Sequence, residues 1–325
     1  MQITRLLVSF TALVLFLSYN MSAQDSLWDD TSRPGWPAMF QEVGIPSTAD
    51  GKTQMAYFYP TRSETPKPLV VSLHTWSNNY QQRDPLIGQI LENDYNYIRP
   101  DFRGPNNNSE ACGSPLVVSD IDDAISYAIE HGHVDPDQVH VIGVSGGGHA
   151  TLIAYMQSAH QIRSFAAWVP ITDLVRWYEE SIGRNNRYAG HIALATTGHD
   201  DRVDLQEARR RSPLYMDTPT DLRHNSKLYL YAGIHDGYTG SVPITHSLHM
   251  YNKVVSDFDP SASEDLIPEH IIQRLVVSRY YPTKEKKEID GRVVHYHRQY
   301  ADKVELTIFE GGHEMLTDHA LRHVP

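Results

Sequence analysis

The chain has 325 residues, with 40 acidic side chains against 28 lysines and arginines and a formal net charge of −12 at pH 7. A chain of this length can bury one large core or two modest ones. The acidic balance argues against a nucleic-acid partner, because binding to the phosphate backbone needs an excess of basic side chains. Cys112 is the only cysteine, so no disulfide can form within the chain and stability must come from packing.

The first residues have the layout of a secretory signal peptide. Arg5 precedes an apolar run at 6–19, and the small residues Met21 to Ala23 follow it. The run is too short for a comfortable membrane span, and no later segment has spanning length. We therefore predict a signal peptide at 1–23 and an exported protein, secreted or periplasmic, with no membrane span. An uncleaved N-terminal anchor is the alternative.

The remaining sequence predicts a single domain over residues 24–325. Extended runs at 41–45 and 54–59, joined by a turn-rich segment, predict an antiparallel hairpin. Short buried strands then alternate with helical segments, which is typical of a doubly wound sheet with helices on both faces. We predict an α/β fold with a mostly parallel, eight-stranded sheet that includes the hairpin. Its other strands are predicted at 69–73, 97–100, 139–143, 165–169, 228–232 and 304–309.

Two insertions interrupt this alternation. Residues 171–225 follow the end of a strand and contain helical sequence, so they are predicted to form a small cap over any site at that sheet edge. Residues 251–300 form the second insertion. The alternation at 293–300 indicates a further strand beside the last one.

The segment from Val139 to Met156 predicts a strand, a tight turn and a helix. Ser145 lies in the turn, and Gly143 and Gly147 flank it in a G-x-S-x-G motif. A serine hydroxyl is a weak nucleophile unless it is held beside a base, and a sharp strand-to-helix turn lifts its oxygen above the sheet. Because glycine-rich turns with serine also occur as ordinary loops, the motif needs partners elsewhere in the chain.

A nucleophilic serine needs an imidazole as base and a carboxylate to orient it, both from loops at the carboxyl ends of strands. His313 follows the last predicted strand in a Gly-Gly-His-Glu segment, and Asp236 follows the preceding strand in a His-Asp-Gly segment. We predict Ser145, Asp236 and His313 as the catalytic residues. Asp173, which follows the strand at 165–169, is the rival for the acid.

An oxyanion hole requires two backbone N–H donors. The N–H of Gly146, directly after the serine, is predicted to be one donor. The other must come from the loop after the strand at 69–73, and we predict the N–H of Trp76.

These motifs resemble those of the α/β-hydrolases and, within that superfamily, of the prolyl-oligopeptidase-like and acetylxylan-esterase-like branch. The resemblance covers about residues 40–320 and implies the α/β-hydrolase fold with the chain order serine, acid, histidine. The segments that carry it are the elbow Gly143–Gly147, the acid loop with Asp236, Val242 and Pro243, and the histidine loop Gly312–Glu314.

The sequence departs from this branch in two places. Thr75 stands where the usual His-Gly-x oxyanion segment has glycine, which leaves the second donor open. Only about forty residues precede the sheet, so the N-terminal propeller of the related peptidases is not expected.

Other constellations point to less specific features. The pairs His131 and His133, and His295 and His297, have a two-residue spacing, but no further metal ligand is placed by the sequence, which favours ordinary helix-end and strand histidines. No glycine-rich phosphate loop follows the first strands, so no metal or organic cofactor is predicted. Five aromatic residues are candidates for lining a cleft for sugar rings, although most such residues belong to cores: Trp76, Trp168, Trp177, Tyr178 and Tyr188.

The sequence thus predicts an exported serine hydrolase that cleaves an ester through an acyl-enzyme, with a small-molecule or glycan-derived ester as substrate. One alternative is a prolyl-oligopeptidase-like peptidase. Another is a binding protein that keeps the hydrolase fold without catalysis.

Overall fold

The computed structural model describes residues 35–282 and 287–325. The signal peptide predicted at residues 1–23 lies outside the described residues. Within the described ranges, no helix is both long and apolar enough to cross a membrane.

The described part of the chain forms one ten-stranded sheet. Its strands are β1 (Gln41–Pro46), β2 (Thr53–Tyr59), β3 (Lys67–Leu73), β4 (Asn96–Pro100), β5 (Val134–Val144), β6 (Ser164–Trp168), β7 (Lys227–Gly233), β8 (Glu288–Ile289), β9 (Arg292–Tyr300) and β10 (Val304–Phe309). They lie in the spatial order β1-β2-β4-β3-β5-β6-β7-β10-β9-β8. The six strands from β4 to β10 in this order are parallel, and the pairs at both edges are antiparallel.

The predicted α/β class, with a mostly parallel sheet and an antiparallel N-terminal hairpin, is confirmed. The predicted count of eight strands is wrong, because pairing continues beyond β10 to β9 and β8. The alternation at 293–300 did indicate β9. Strand β8 has only two residues, which is too short to show an alternating pattern.

Helices cover both faces of the sheet. They are α1 (Ile87–Asn93), α2 (Pro115–His131), α3 (Gly146–Gln157), α4 (Leu174–Gly183), α5 (Tyr188–Thr197), α6 (Leu205–Arg210), α7 (Thr245–Phe258), α8 (Glu269–Ser278) and α9 (Thr317–Ala320). Successive strand residues point to opposite faces. Val71 accordingly packs in the core with Ile121 of α2, and Val70 packs in a second core with Ile90 of α1.

The insertion at 171–225 contains α4, α5 and α6 and builds a third apolar cluster. In this cluster Trp177 and Ile192 of the insertion pack with Trp76, which follows β3, and with Val242, which follows β7. The Trp177 indole N–H also donates to the Ser241 carbonyl oxygen at 2.8 Å. The insertion therefore lies against loops at the carboxyl ends of β3 and β7.

Candidate active site

Ser145 lies between β5 and α3 with φ 57° and ψ −114°. Residues other than glycine rarely adopt a positive φ, and such strain persists only where the surroundings enforce it. Here the surroundings are backbone: a Cβ atom built on Gly143 would lie 2.3 Å from the carbonyl of Gly147, and one on Gly147 would lie 2.2 Å from the Leu73 carbonyl oxygen. The two motif glycines let strand, turn and helix approach closely enough to hold the serine at the end of a central strand.

The structure brings the three predicted catalytic side chains together. His313 Nε2 lies 2.9 Å from Ser145 Oγ, and His313 Nδ1 lies 2.7 Å from Asp236 Oδ2. The Asp236 side chain is buried, whereas the imidazole keeps 19% of its surface exposed. Since the carboxylate holds the proton on Nδ1, the neutral imidazole presents an unprotonated Nε2 to the serine hydroxyl.

The second oxygen of Asp236 is held by its own loop. Asp236 Oδ1 accepts from the backbone N–H groups of Gly237 at 2.8 Å and Val242 at 3.1 Å. Gly237 has φ +81°, a conformation that a side chain would strain. The loop after β7 thus curls around the carboxylate and leaves one oxygen for the imidazole.

Gly240 is a member of this site that sequence reasoning missed. A Cβ atom built there would lie 2.3 Å from Asp236 Oδ1 and 2.7 Å from His313 Cβ. A glycine four residues after a candidate acid is only a weak sequence signal, because such loops are commonly glycine-rich.

Asp173, the rival acid, has a different place. Its Oδ1 accepts from Val175 N and Arg176 N at 3.0 Å each, which makes it the N-cap of α4. Its Oδ2 accepts from the Tyr215 hydroxyl at 2.8 Å. The carboxylate is therefore committed to the insertion and does not contact His313.

The two predicted oxyanion donors are adjacent. A Cβ atom built on Gly146 would lie 2.4 Å from both N and Cα of Trp76. As the first residue of α3, Gly146 has an N–H without an intrahelical acceptor. The Trp76 N–H likewise donates to no acceptor within residues 35–282 and 287–325. Thr75, the residue that replaces the usual glycine, has its N–H bound to Gln82 Oε1 at 2.9 Å, which leaves Trp76 as the next amide along the loop.

The expectation that five aromatic residues line a sugar cleft is wrong for the three tryptophans. Trp76, Trp168 and Trp177 are at most 2% exposed, because each ring packs into an apolar cluster. Tyr178 and Tyr188 are half-buried. Tyr238, in the loop that carries Asp236, was not predicted from the sequence. It is 69% exposed, and the Arg279 guanidinium stacks 3.6 Å from its ring centroid.

Two fully buried histidines flank the site without adding charge to it. Burial lowers the pKa of His149, on the first turn of α3, to about 4, and the pKa of His74, directly after β3, also to about 4. His149 Nδ1 lies 2.9 Å from the Ile171 carbonyl oxygen, and the His74 ring stacks on Phe102. Both imidazoles are therefore neutral near pH 7.

The histidine pairs considered as metal ligands have protein partners. His295 Nε2 lies 2.7 Å from Glu310 Oε2, His297 Nε2 lies 3.0 Å from Glu305 Oε1, and His131 Nδ1 lies 2.9 Å from the Tyr127 carbonyl oxygen. Cys112 is buried, and desolvation raises the pKa of its thiol to about 12, so it supplies no thiolate nucleophile.

An open parallel sheet with a strained serine at the end of a central strand, followed along the chain by an acid and a histidine, defines the α/β-hydrolase class. The comparisons with known proteins agree, and the chain belongs to the α/β-hydrolase superfamily. The model of the BD-FAE family matches residues 55–216, about half of the chain.

Solved structures with this fold include the Pyrococcus horikoshii acylaminoacyl peptidase, which is 15% identical with a TM-score of 0.54 over 87% of this chain and 39% of that one. A puromycin-hydrolyzing peptidase of Mycobacterium tuberculosis is 18% identical with a TM-score of 0.51 over 67% of this chain and 34% of that one. The Salmonella typhi protein YfhR is 27% identical over 122 residues, 36% of this chain and 42% of its own length. The chain thus spans about two fifths of the length of the relatives it matches.

Proposed function

We propose that this protein is a serine hydrolase that cleaves an ester through an acyl-enzyme. The observation that carries the proposal is the continuous row of hydrogen bonds from Asp236 through His313 to Ser145, at 2.7 and 2.9 Å. Beside it lie two adjacent backbone N–H groups, those of Gly146 and Trp76. A nucleophile, a base, an orienting acid and an oxyanion hole together are what acyl transfer requires.

In the first half of the reaction, His313 Nε2 takes the proton of Ser145 as the serine oxygen attacks the substrate carbonyl. The Gly146 and Trp76 N–H groups stabilise the negative charge that forms on the carbonyl oxygen. Asp236 stabilises the imidazolium and keeps it oriented. The imidazolium then protonates the leaving alcohol, which departs and leaves the acyl group on Ser145.

In the second half, His313 takes a proton from water, which attacks the acyl-enzyme carbonyl. The same two N–H groups stabilise the second oxyanion, and the imidazolium returns its proton to Ser145 as the acid product leaves. These steps use only the side chains of Ser145, Asp236 and His313 and the N–H groups of Gly146 and Trp76.

We further propose a carbohydrate-derived ester as the substrate and an exported location for the enzyme. The exposed ring of Tyr238 lies two residues after Asp236, where it can stack on a sugar or an aromatic acyl group. The insertion with α4–α6 acts in this proposal as a small cap within one domain. Its support is the packing of Trp177 and Tyr188 against Trp76, at 4.7 and 6.4 Å between ring centroids.

The reaction type is tested with p-nitrophenyl acyl esters against aminoacyl and prolyl anilides. We expect ester turnover, slow or no amide cleavage, and labelling of Ser145 by a fluorophosphonate that Ser145→Ala abolishes. Rapid amide cleavage with feeble ester turnover would establish the peptidase alternative. Absence of both labelling and turnover would establish the non-catalytic alternative.

The substrate class is tested with acetylated and feruloylated oligosaccharides. We expect a higher kcat/KM for these esters than for alkyl esters of the same acids. Tyr238→Ala is expected to reduce that preference several-fold while leaving p-nitrophenyl acetate turnover unchanged. Equal reduction for both kinds of ester would argue against a sugar or aromatic contact at Tyr238.

A further inference from the structure

The loop that supplies the Trp76 N–H is held by side chains that the reaction itself does not use. Its neighbour Thr75 occupies the place of the glycine in related oxyanion segments, and it is buried. Gln82, which is completely buried, lies seven residues further along the same loop. Its side chain turns back onto Thr75.

Gln82 holds Thr75 at two points, each a hydrogen bond. Its Oε1 accepts from the Thr75 backbone N–H at 2.9 Å, and its Nε2 donates to Thr75 Oγ1 at 3.2 Å. One point lies on the backbone and the other on the side chain, so together they restrict φ and χ1 of Thr75. A glycine at this position has no hydroxyl and could be held at only one of them.

A buried ion pair fixes Gln82 in turn. Arg99 Nη2 donates to Gln82 Oε1 at 2.8 Å, and Arg99 Nη1 donates to Asp84 Oδ2 at 2.9 Å. Asp84 Oδ2 also accepts from the Tyr97 hydroxyl at 2.7 Å. Arg99 and Asp84 are at most 4% exposed, where hydrogen bonds are strong and unpaired polar groups are costly. The network therefore gives Gln82 one orientation.

The far side of the oxyanion donor is held separately. The Trp76 carbonyl oxygen accepts from the backbone N–H of Asn106 at 2.8 Å, and Asn106 Oδ1 accepts from Cys112 N at 2.9 Å. The carbonyl of Trp76 is thus anchored on one side. The direction of its N–H depends on the peptide that joins it to Thr75.

We propose that Gln82 is a positioning residue for the oxyanion hole, acting through Thr75 on the Trp76 N–H. The proposal rests on the proposed function, since it assumes that Trp76 N–H stabilises an oxyanion. Rotation about φ and ψ of Thr75 changes the direction of the Trp76 N–H. The two bonds from Gln82 restrict φ, and the Asn78 N–H restricts ψ by donating to the Thr75 carbonyl oxygen at 3.3 Å. The Trp76 donor is thus held by side chains, those of Gln82, Arg99 and Asp84. The other donor, Gly146, is held by close packing between backbones.

The test is Gln82→Met, which keeps the length of the side chain and removes both hydrogen bonds to Thr75. With p-nitrophenyl acetate we expect kcat to fall 10- to 100-fold and KM to change less than 3-fold, because a displaced oxyanion donor weakens binding of the transition state more than binding of the substrate. A trifluoromethyl ketone, which forms a tetrahedral adduct on the serine, is expected to lose affinity by the same factor as kcat/KM. Gln82→Glu keeps the acceptor for Thr75 N–H and is expected to recover most of the rate.

Gln81→Met is the matched control, since Gln81 is the exposed neighbour of Gln82 and, among the described residues, its side chain forms a hydrogen bond only with the Tyr80 hydroxyl. It should leave both constants unchanged. A soluble, folded Gln82→Met protein with wild-type kcat would overturn the positioning role. A parallel loss in kcat, thermal stability and Ser145 labelling, without recovery in Gln82→Glu, would show a purely structural role. Absence of ester turnover in the wild-type protein would instead refute the proposed function itself.

Discussion

The two halves of the oxyanion hole present the same chemical group and are built in different ways. Gly146 belongs to the elbow, where Gly143, Gly147 and the backbone of β3 meet at distances that admit no side chain. Trp76 belongs to a loop that buried side chains hold, chiefly Gln82 and Arg99. The first half is determined by steric exclusion between backbones, and the second by a hydrogen-bond network.

This difference has consequences for mutation. Overpacking a backbone contact cannot be relieved by a rotamer change, so the elbow should respond sharply to any added methyl group. A network of side chains can relax in part, so we expect substitutions in the loop that carries Trp76 to lower kcat by graded amounts. The Gln82 variants described above probe the loop. The following predictions probe the rest of the site, from the largest expected effect to the smallest.

Asp236→Asn is expected to lower kcat on p-nitrophenyl esters by about 10⁴-fold, because the amide favours the wrong imidazole tautomer and no longer balances the imidazolium. Steady-state kinetics on the folded variant provide the measurement. Asp173→Asn, at the rival acid, should leave kcat unchanged and lower the free energy of unfolding by at most about 1 kcal/mol, since asparagine is also a good N-cap. If the two variants exchanged these outcomes, the acid would be misassigned.

Gly146→Ala is expected to lower kcat by about 10²- to 10³-fold and stability by about 1–3 kcal/mol, because its Cβ atom must displace the Trp76 backbone and with it a donor. Kinetics and urea unfolding measure the two effects. Gly88→Ala is the control, since nothing lies within 4 Å of a Cβ atom at this position in α1, and it should stabilise the protein by about 0.5–1 kcal/mol. An active, stable Gly146→Ala protein would show that the elbow is not sterically determined.

Gly240→Ala is expected to lower kcat by roughly 10- to 100-fold, because the new methyl group would push Asp236 and His313 apart. The loop after β7 can give way in part, so the effect should be smaller than that of Gly146→Ala. Unchanged kinetics would mean that the loop absorbs the methyl group without moving either residue.

Each half of the oxyanion hole also contains a buried histidine whose pKa burial lowers to about 4, His149 behind the elbow and His74 in the loop. In the unfolded chain these groups take up protons near pH 6.5. Stability should therefore fall as the pH drops from about 6.5 to 4, by up to about 3 kcal/mol for each histidine, with no further loss from them below pH 4. Urea unfolding at pH 7 and pH 5 measures this fall, and His149→Asn should reduce it. If His149→Asn lost as much stability between pH 7 and pH 5 as the wild-type protein, groups other than His149 would cause the acid sensitivity.

Much of the site was predictable from the sequence because its constraints are local. Gly143 and Gly147 flank Ser145 within one short turn, so their spacing can be recognised in the sequence, although Gly147 also makes room for the Leu73 carbonyl oxygen of β3. His313 and Asp236 could be placed because each follows a strand, and the carboxyl ends of parallel strands meet at one edge of the sheet. The order serine, acid, histidine followed from that placement.

The rest could not be predicted because it depends on contacts between distant segments. Nothing in the sequence around Asp173 separates a helix cap from a catalytic acid, yet its two bonds to the N–H groups of α4 decide the matter. Tryptophans are typical of sugar-binding sites, but the structure buries Trp76, Trp168 and Trp177 in apolar cores.

The sequence by itself determined the fold class, the nucleophile's turn and the loops from which its partners come, since periodicity and short-range sterics suffice for these. Only the tertiary structure decided which carboxylate reaches His313, which amide stands beside Gly146, and which glycine makes room between Asp236 and His313. Those outcomes depend on atom-to-atom distances of 2 to 3 Å between residues up to 168 positions apart, and one-dimensional spacing contains no such distance.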